Sequence, residues 1–181
     1  HGHERRRNNI EQPAEFIEEF ARACIDAGAH TFIGHGPHII RGIEIRKEKP
    51  IFYSLGNFIS QNMTVKKMPA EYYARFNLDP YRGTPSDLND AREQKHHAFV
   101  GPHAYERWIG IIPFMTFEGN SLTELKLYPI TLGQTKPRSQ RGRPMLASIG
   151  LAKKIFEIIR KRSKPYGTDI EVEDGIGIVN L

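Results

Sequence analysis

Residues 26–58 read DAGAHTFIGHGPHIIRGIEIRKEKPIFYSLGNF, and they contain the most informative pattern of strands and loops in the chain. A short apolar strand, His30–Ile33, leads directly into the glycine-rich loop Gly34-His35-Gly36-Pro37-His38. Two further strands, Ile43–Arg46 and Ile51–Leu55, are predicted with a short polar turn between them. Because α/β folds place their sites on loops at strand ends, this loop is where chemistry is expected.

The flanking sequence predicts helices and antiparallel strands. Pro13–Ala27 has the apolar spacing of an amphipathic helix. Its buried face is predicted to comprise Phe16, Ile17, Phe20, Cys24 and Ala27. The later elements are, in order, a hairpin of strands at 108–117 and 122–132, a basic loop at 133–144, a helix at 146–162, and a hairpin of strands at 170–173 and 176–179.

Residues 61–105 interrupt this pattern. Short helices are predicted at 69–76 and 85–93, among turn residues, and we interpret the stretch as an insertion packed over the sheet edge. The order of elements indicates a mixed α/β fold with antiparallel pairs toward its end. One domain, residues 1–181, would contain all of these elements.

The composition excludes several classes of protein. Apolar residues make up 39% of the 181 residues, which suffices for a packed core and excludes a disordered chain. The single cysteine, Cys24, excludes an internal disulfide and a cysteine-rich zinc module. Ile109–Met115 is the longest apolar run, far short of the roughly 20 residues that a bilayer-spanning helix needs. Because the chain begins with His1, we expect its natural N-terminus to lie upstream.

Positive charge is concentrated in residues 134–164, which hold ten Lys or Arg against one acid, Glu157, while the whole chain has a net charge of +5. Such a block would attract an anionic polymer or a lipid surface, and the lack of interleaved aromatic residues disfavours nucleic acid. A solvated helix face with a basic loop is the alternative. Arg138, Arg141 and Arg143 are the candidate anion-binding residues, because a planar guanidinium pairs a carboxylate with two hydrogen bonds. Alternatively, Arg141-Gly142-Arg143-Pro144 is a structural clamp, with its guanidiniums paired to acids of the closing hairpin at 170–179.

The loop at 34–38 is a candidate metal site. Neutral imidazole is the commonest protein ligand for a borderline divalent metal, and two histidines on one tight loop can converge on an ion. We expect His35 and His38 to bring ring nitrogens within roughly 3–5 Å of each other, at the mouth of the best-formed pocket. The alternative is that one histidine is packed and hydrogen-bonded while the other is exposed.

Other histidines lie at the start of the chain and in the insertion. His1-Gly2-His3-Glu4 could supply ligands, or it could be a frayed end or the remnant of a purification tag. His96, His97 and His103 are interpreted as solvated loop residues.

The run at 26–58 closely resembles the CapA family, the poly-γ-glutamate (capsule) biosynthesis proteins. The family pattern is roughly DAGAD, a hydrophobic stretch, GHxPH and then KPIxYSLGNF, and this chain departs from it by having His30 in place of the acid. Further matches are RGRP at 141–144, KPYGT at 164–168 and EVEDGIG at 171–177. The resemblance implies the C-terminal part of a calcineurin-like metallophosphoesterase, a two-sheet α/β sandwich whose N-terminal half is absent from this chain.

The same resemblance implies a site with two divalent ions, of Mn, Zn or Fe. His35 and His38 match the family's closing histidines, and either His1 or His3 matches its preceding lone histidine. Glu4 is then implied as an acid that faces substrate or supports a ligand, and Glu4 or a histidine such as His38 would protonate the leaving group. Asn57 would position substrate or a metal-bound water, unless it only ends a strand with a turn.

The expected function is that of a CapA-like protein in capsule or poly-γ-glutamate biosynthesis. A metal-dependent hydrolase would act on a phosphoester or amide bond. A different class is a non-catalytic accessory subunit that binds an anionic polymer or a membrane synthase complex. The resemblance further implies a bacterial protein that is membrane-associated or extracytoplasmic, with any anchor in the missing N-terminal segment.

Overall fold

The computed structural model describes residues 5–6, 9–61, 64–95 and 103–181. Its helices are α1 (Glu15–Asp26), α2 (Ala70–Arg75), α3 (Pro85–Lys95) and α4 (Ile149–Ser163). Its strands are β1 (Arg5–Arg6), β2 (Asn9–Pro13), β3 (Phe32–Ile33), β4 (Ile43–Arg46), β5 (Lys49–Phe52), β6 (Ile109–Glu118), β7 (Ser121–Thr131), β8 (Met145–Leu146), β9 (Ile170–Glu173) and β10 (Ile176–Val179). None of the described helices is long and apolar enough to cross a membrane.

Two larger sheets and one small ribbon make up the β-structure of the described residues. One sheet has the strand order β3-β5-β4, and the other has the order β6-β7-β10-β9 with β8 paired to β7. The ribbon joins β1 and β2. This mixed α/β fold with two sheets confirms the predicted fold class, and the hairpins at 109–131 and 170–179 lie where the sequence places them.

The three-stranded sheet is a tight hairpin with one parallel neighbour. β4 and β5 are antiparallel and connected by Lys47 and Glu48, which both have positive φ as a two-residue hairpin turn requires. β3 pairs parallel to β5, with Phe32 opposite Ile51. The loop that follows β3 therefore leaves the sheet at the carboxyl end of both parallel strands.

Helix α4 packs between the two sheets and centres the main core. Ser148 caps its first turn by accepting a hydrogen bond from the Leu151 amide. Ile155 and Phe156 are fully buried in one cluster with Ile43 and Phe52 of the smaller sheet. The cluster also holds residues of the larger sheet, namely Ile109, Ile111, Leu122, Leu125, Leu127, Ile170 and Val179.

Helix α1 buries a different face from the one that the sequence predicts. Ile17, one of the predicted residues, is buried against the smaller sheet together with Ala21 and Ile25, whereas Phe16 is 59% and Phe20 62% exposed. The stripe that begins at Ile17 and the stripe that begins at Phe16 have the same four-residue spacing and are offset by one position. The expectation of a buried face through Phe16 and Phe20 is therefore wrong.

The insertion has a small core of its own. Tyr73 and Phe76, from the end of α2, are buried with Leu88 of α3. The guanidinium of Arg138, in the basic loop, pairs with Asp90 and donates to the Ser86 hydroxyl, so the insertion is held to that loop. The prediction of short helices within an irregular stretch is confirmed.

Candidate functional site

The loop at residues 34–38, which we call the histidine loop, lies at the carboxyl end of β3, as the sequence predicts. The Gly34 amide donates to the Phe52 carbonyl at 2.7 Å, which extends the pairing with β5 by one residue. A Cβ on Gly34 would lie 2.7 Å from the Tyr53 carbonyl oxygen, so glycine is required for this approach. Gly36 has a φ of 131°, in the region that favours glycine. The two glycines therefore allow the chain to turn sharply at the strand end.

His38 is the histidine of this loop for which the structure gives a partner. Its Nδ1 lies 2.9 Å from Oδ1 of Asn57, and its backbone is left-handed with a φ of 61°. Non-glycine residues adopt this conformation rarely, and it concentrates at functional sites. The imidazole itself is exposed.

Asn57 is held by the chain around the start of β6. Its side-chain Nδ2 donates to the Arg107 carbonyl at 2.9 Å, and its backbone amide donates to the Ile109 carbonyl at 3.4 Å. A Cβ on Gly110 would lie 2.5 Å from the Asn57 carbonyl oxygen. Glycine at 110 therefore allows the segment around Asn57 to approach β6.

His35 is exposed three residues before His38. The loop therefore presents two exposed imidazoles, although the described residues add no third ligand to form a cluster with either of them. Convergence of the two rings on an ion stays a prediction. His1, His3 and Glu4, the other predicted members of the site, lie outside the described residues, as do His96 and His97.

A cavity of about 530 Å³ lies elsewhere, between α1, β2 and the end of α4. Glu11, Glu18, Arg22 and Lys161 are among the residues that line it. Neither histidine of the loop does. The expectation that the histidine loop stands at the mouth of the best-formed pocket is therefore wrong for the part of the chain that the structure describes.

A buried ionic network lies beside this cavity, and sequence reasoning missed it. The Arg162 guanidinium donates to Glu106 at 2.6 and 3.0 Å, to Glu11 at 2.8 Å and to the Ile40 carbonyl at 2.5 Å. His103 Nδ1 lies 2.8 Å from Oε1 of Glu106, an oxygen that also accepts a hydrogen bond from Arg162. His103 is therefore a half-buried member of the network and not the solvated loop residue that the sequence indicates.

The position of Arg162 in helix α4 was the signal for this network. Arg162 comes seven residues after Ile155 and three after Ile159, so it lies on the buried apolar face of the helix. Its side chain is only 4% exposed. A charge at such a position requires a partner of opposite charge, because burying it alone is very costly.

The ligand atoms of Glu11, His103 and Glu106 lie within 4.8 Å of one another, a spacing that would suit a metal ion. Arg162, however, already binds both carboxylates, and its permanent positive charge opposes a cation in the same place. Its hydrogen bond also holds the pKa of Glu11 below the ordinary value. We therefore interpret the cluster as a structural ion-pair network.

A second network fixes Tyr53, from the YSLGNF motif, in the core. Tyr53 is fully buried and its hydroxyl donates to Glu44 at 2.7 Å. Arg22 of α1 binds the same carboxylate with hydrogen bonds of 2.9–3.1 Å. Burial, reinforced by the hydrogen bond to Glu44, raises the pKa of Tyr53, so its hydroxyl stays protonated as a structural donor.

The loop arginines differ in their surroundings. Arg138, a predicted anion-binding residue, binds Asp90 and Ser86 in the insertion. Arg141 is half-buried and Arg143 is exposed. Between them, the Gly142 carbonyl accepts a hydrogen bond from the Ser60 amide at 3.0 Å. Within the described residues Arg138 is therefore occupied by the fold, and Arg143 faces solvent.

Comparison with known proteins assigns the family. The model for the bacterial capsule synthesis protein PGA_cap matches residues 4–62, the part of the chain that contains the histidine loop and Asn57. The capsule biosynthesis protein CapA of Bacillus anthracis is 41% identical over 95 residues, which are 46% of this chain and 23% of that protein. The PGA biosynthesis protein CapA of Bacillus subtilis is 37% identical over 83 residues, 44% of this chain and 22% of that protein. The chain belongs to the CapA family.

Two further relatives match along nearly the whole chain. The uncharacterized proteins y4sH and y4uA of Sinorhizobium fredii are each 41% identical over 182 residues, which cover 96% of this chain. The chain spans 39% of the length of these two relatives. The similarity to these two relatives therefore extends well beyond residues 4–62.

Proposed function

We propose that this CapA-family chain contributes two histidine ligands, His35 and His38, to a divalent-metal site of a capsule or poly-γ-glutamate biosynthesis protein. The observation that supports the proposal most directly is the geometry of His38. Its backbone is left-handed, and its Nδ1 lies 2.9 Å from Oδ1 of Asn57. Metal-ligating histidines characteristically have such a partner on the other ring nitrogen.

The residues of the loop fit a borderline divalent metal such as Mn, Zn or Fe. Both imidazoles are exposed, and the glycines at 34 and 36 allow the sharp turn that places them at the strand end. Two histidines do not complete a coordination shell, so further ligands would come from other residues. His1 or His3, together with Glu4, are our candidates, on the family pattern.

The proposed chemistry is hydrolysis of a phosphoester or amide bond. Divalent ions, when bound, would polarise the scissile bond and lower the pKa of a water molecule. Glu4 or His38 would donate a proton to the leaving group. Asn57 would act on His38, which it contacts, in place of the direct role toward substrate that the sequence indicates.

Metal content tests this proposal. In the complete natural protein we expect His35→Ala and His38→Ala each to lose most of the bound divalent metal, measured by elemental analysis after gel filtration, together with any hydrolytic activity. His30→Ala is the matched control, because His30 is also exposed and hydrogen-bonded to an asparagine, Asn120, at 3.0 Å. Unchanged metal content in both loop variants would contradict the proposal.

A second candidate function is binding of an anionic polymer without catalysis, and the outer face of α4 favours it. Lys153 and Lys154 are exposed there, Lys161 is 76% exposed, and Arg143 faces solvent nearby in sequence. Poly-γ-glutamate carries one carboxylate per residue, so these cations would attract it.

Affinity for poly-γ-glutamate across a salt series tests this candidate. Exposed charges are screened over about 10 Å at 0.1 M salt, so we expect the affinity to fall steeply as salt rises. Arg143→Ser combined with Lys153→Ser should weaken binding, while Arg138→Ser should change it little, because Arg138 is paired with Asp90. Binding that is absent, or that does not respond to salt, would exclude this role.

A further inference from the structure

The side-chain amide of Asn57 can place its oxygen and nitrogen in only one way in this fold. Its nitrogen lies 2.9 Å from the Arg107 carbonyl oxygen, which can only accept a hydrogen bond. An amide turned the other way would place two acceptors against each other. Oδ1 of Asn57 must therefore face His38, independently of how amide atoms are assigned.

This orientation determines the proton position on His38. Oδ1 of Asn57 is an acceptor, so the His38 nitrogen at 2.9 Å, Nδ1, must carry the hydrogen. A neutral imidazole has one N–H and one lone pair. The lone pair of neutral His38 is therefore on Nε2.

The surrounding backbone is built to keep Asn57 in this place. Gly56 has a φ of 77°, and a Cβ there would lie 2.7 Å from the Ile109 carbonyl oxygen. The Gly56–Gly110 bridge and the bond from the Ile111 amide to the Leu55 carbonyl, at 3.0 Å, fix both sides of the residue. The position of Asn57, and with it the position of its contact to His38, therefore depends on the position of β6.

We infer that Asn57 is a positioning residue, which holds His38 as the Nδ1–H tautomer and so makes Nε2 its metal-binding nitrogen. The inference deepens the proposed function and rests on it for the role of the metal. Its tautomer component is independent of any metal. Loss of a hydrogen-bonding partner of a metal ligand typically lowers metal affinity 10–100-fold, and we expect an effect of this size.

The tautomer is measured first, in the complete natural protein labelled with ¹⁵N-histidine and stripped of metal. We expect ¹⁵N spectra of neutral His38 to show a protonated Nδ1 and an unprotonated Nε2, with the resonances assigned by their loss in His38→Gln. Asn57→Asp should keep this tautomer, because a carboxylate also accepts from Nδ1. Asn57→Ala removes the acceptor from Nδ1 and should shift the ring toward the Nε2–H form, the intrinsically favoured tautomer of neutral histidine.

The matched control is Asn120→Ala, which removes a comparable bond, 3.0 Å long, from His30 Nε2. It should alter the His30 resonances and leave those of His38 unchanged. In Asn57→Ala, unchanged His30 resonances would show that the fold is intact. A His38 that is protonated on Nε2 in the wild type, or whose tautomer is unaffected by Asn57→Ala in an intact fold, would overturn the inference.

Calorimetric titration with Mn²⁺ and Zn²⁺ tests the consequence for binding. Asn57→Ala should weaken the affinity 10–100-fold, whereas Asn57→Asp should retain more of it and Asn120→Ala all of it. Wild-type affinity in Asn57→Ala would overturn the positioning role. Absence of metal binding in the wild type would instead refute the proposed function, while the tautomer measurement would still decide whether Asn57 controls His38.

Discussion

At the residue scale, the same side-chain type has different roles according to the groups that surround it. His103 and His38 both follow glycine-proline pairs, yet His103 pairs with Glu106 inside an ionic network and His38 pairs with the neutral amide of Asn57. The spacing of the histidines alone could not separate these cases. The loop position of His38 was predictable, because it depends on residues adjacent in sequence. Its bond to Asn57 was not, because a residue 19 positions away supplies it.

Arg162 permits a prediction about stability at this scale. Arg162→Met preserves the apolar stem but leaves Glu106, whose side chain is 9% exposed, without its cationic partner. Removing one member of a buried ion pair typically costs about 3–5 kcal/mol, and we expect the free energy of unfolding in urea to fall by about this amount. Lys153→Met on the exposed face of α4 is the control and should change it by less than about 0.5 kcal/mol. A small change in the free energy of unfolding for Arg162→Met would show that water molecules replace the hydrogen bonds that Arg162 donates to the carboxylates.

At the scale of elements, local pattern predicted where helices and strands lie, and tertiary packing decided which face each one buries. The hairpin at 109–131 and the helix at 149–163 agree with the sequence prediction within a few residues. Strands β1, β2 and β8 were not predicted, and β1 and β8 have only two residues each, too few to show a period. In α1, two apolar stripes compete, and the small Ala21 permits the close approach to the sheet that phenylalanine would prevent.

The choice of face in α1 predicts opposite sensitivities in neighbouring stripes. Ile25→Ala should lower the free energy of unfolding by about 2–5 kcal/mol, because Ile25 is 2% exposed and its removal leaves a cavity. Phe16→Ala should cost far less, about 1 kcal/mol or below, since the ring is 59% exposed. Urea unfolding of the two variants makes the comparison. A larger loss for Phe16→Ala would mean that another part of the natural protein covers this stripe.

At the scale of the whole molecule, close backbone contacts between the two larger sheets also support the candidate site. The bridge between Gly56 and Gly110 joins the segment after β5 to the start of β6. Next to this bridge, Asn57 is hydrogen-bonded to the Arg107 carbonyl just before β6 and to His38 in the loop after β3. The fold class was predictable without this contact, but the coupling of the sheets to the site was not, because it depends on how closely two glycines approach.

Gly110→Ala tests that coupling. Its Cβ would lie 2.5 Å from the Asn57 carbonyl oxygen, closer than any carbon tolerates, so the segment around Asn57 must move away from β6. We expect a lower free energy of unfolding and, in the folded protein, loss of the Nδ1–H tautomer of His38. The control is Gly150→Ala in the first turn of α4, where a Cβ meets nothing within 4 Å. That variant should be neutral or more stable by up to about 1 kcal/mol, with the ¹⁵N resonances of His38 unchanged. If Gly110→Ala destabilises the fold but leaves the His38 tautomer as it was, the sheet contact and the histidine loop are independent.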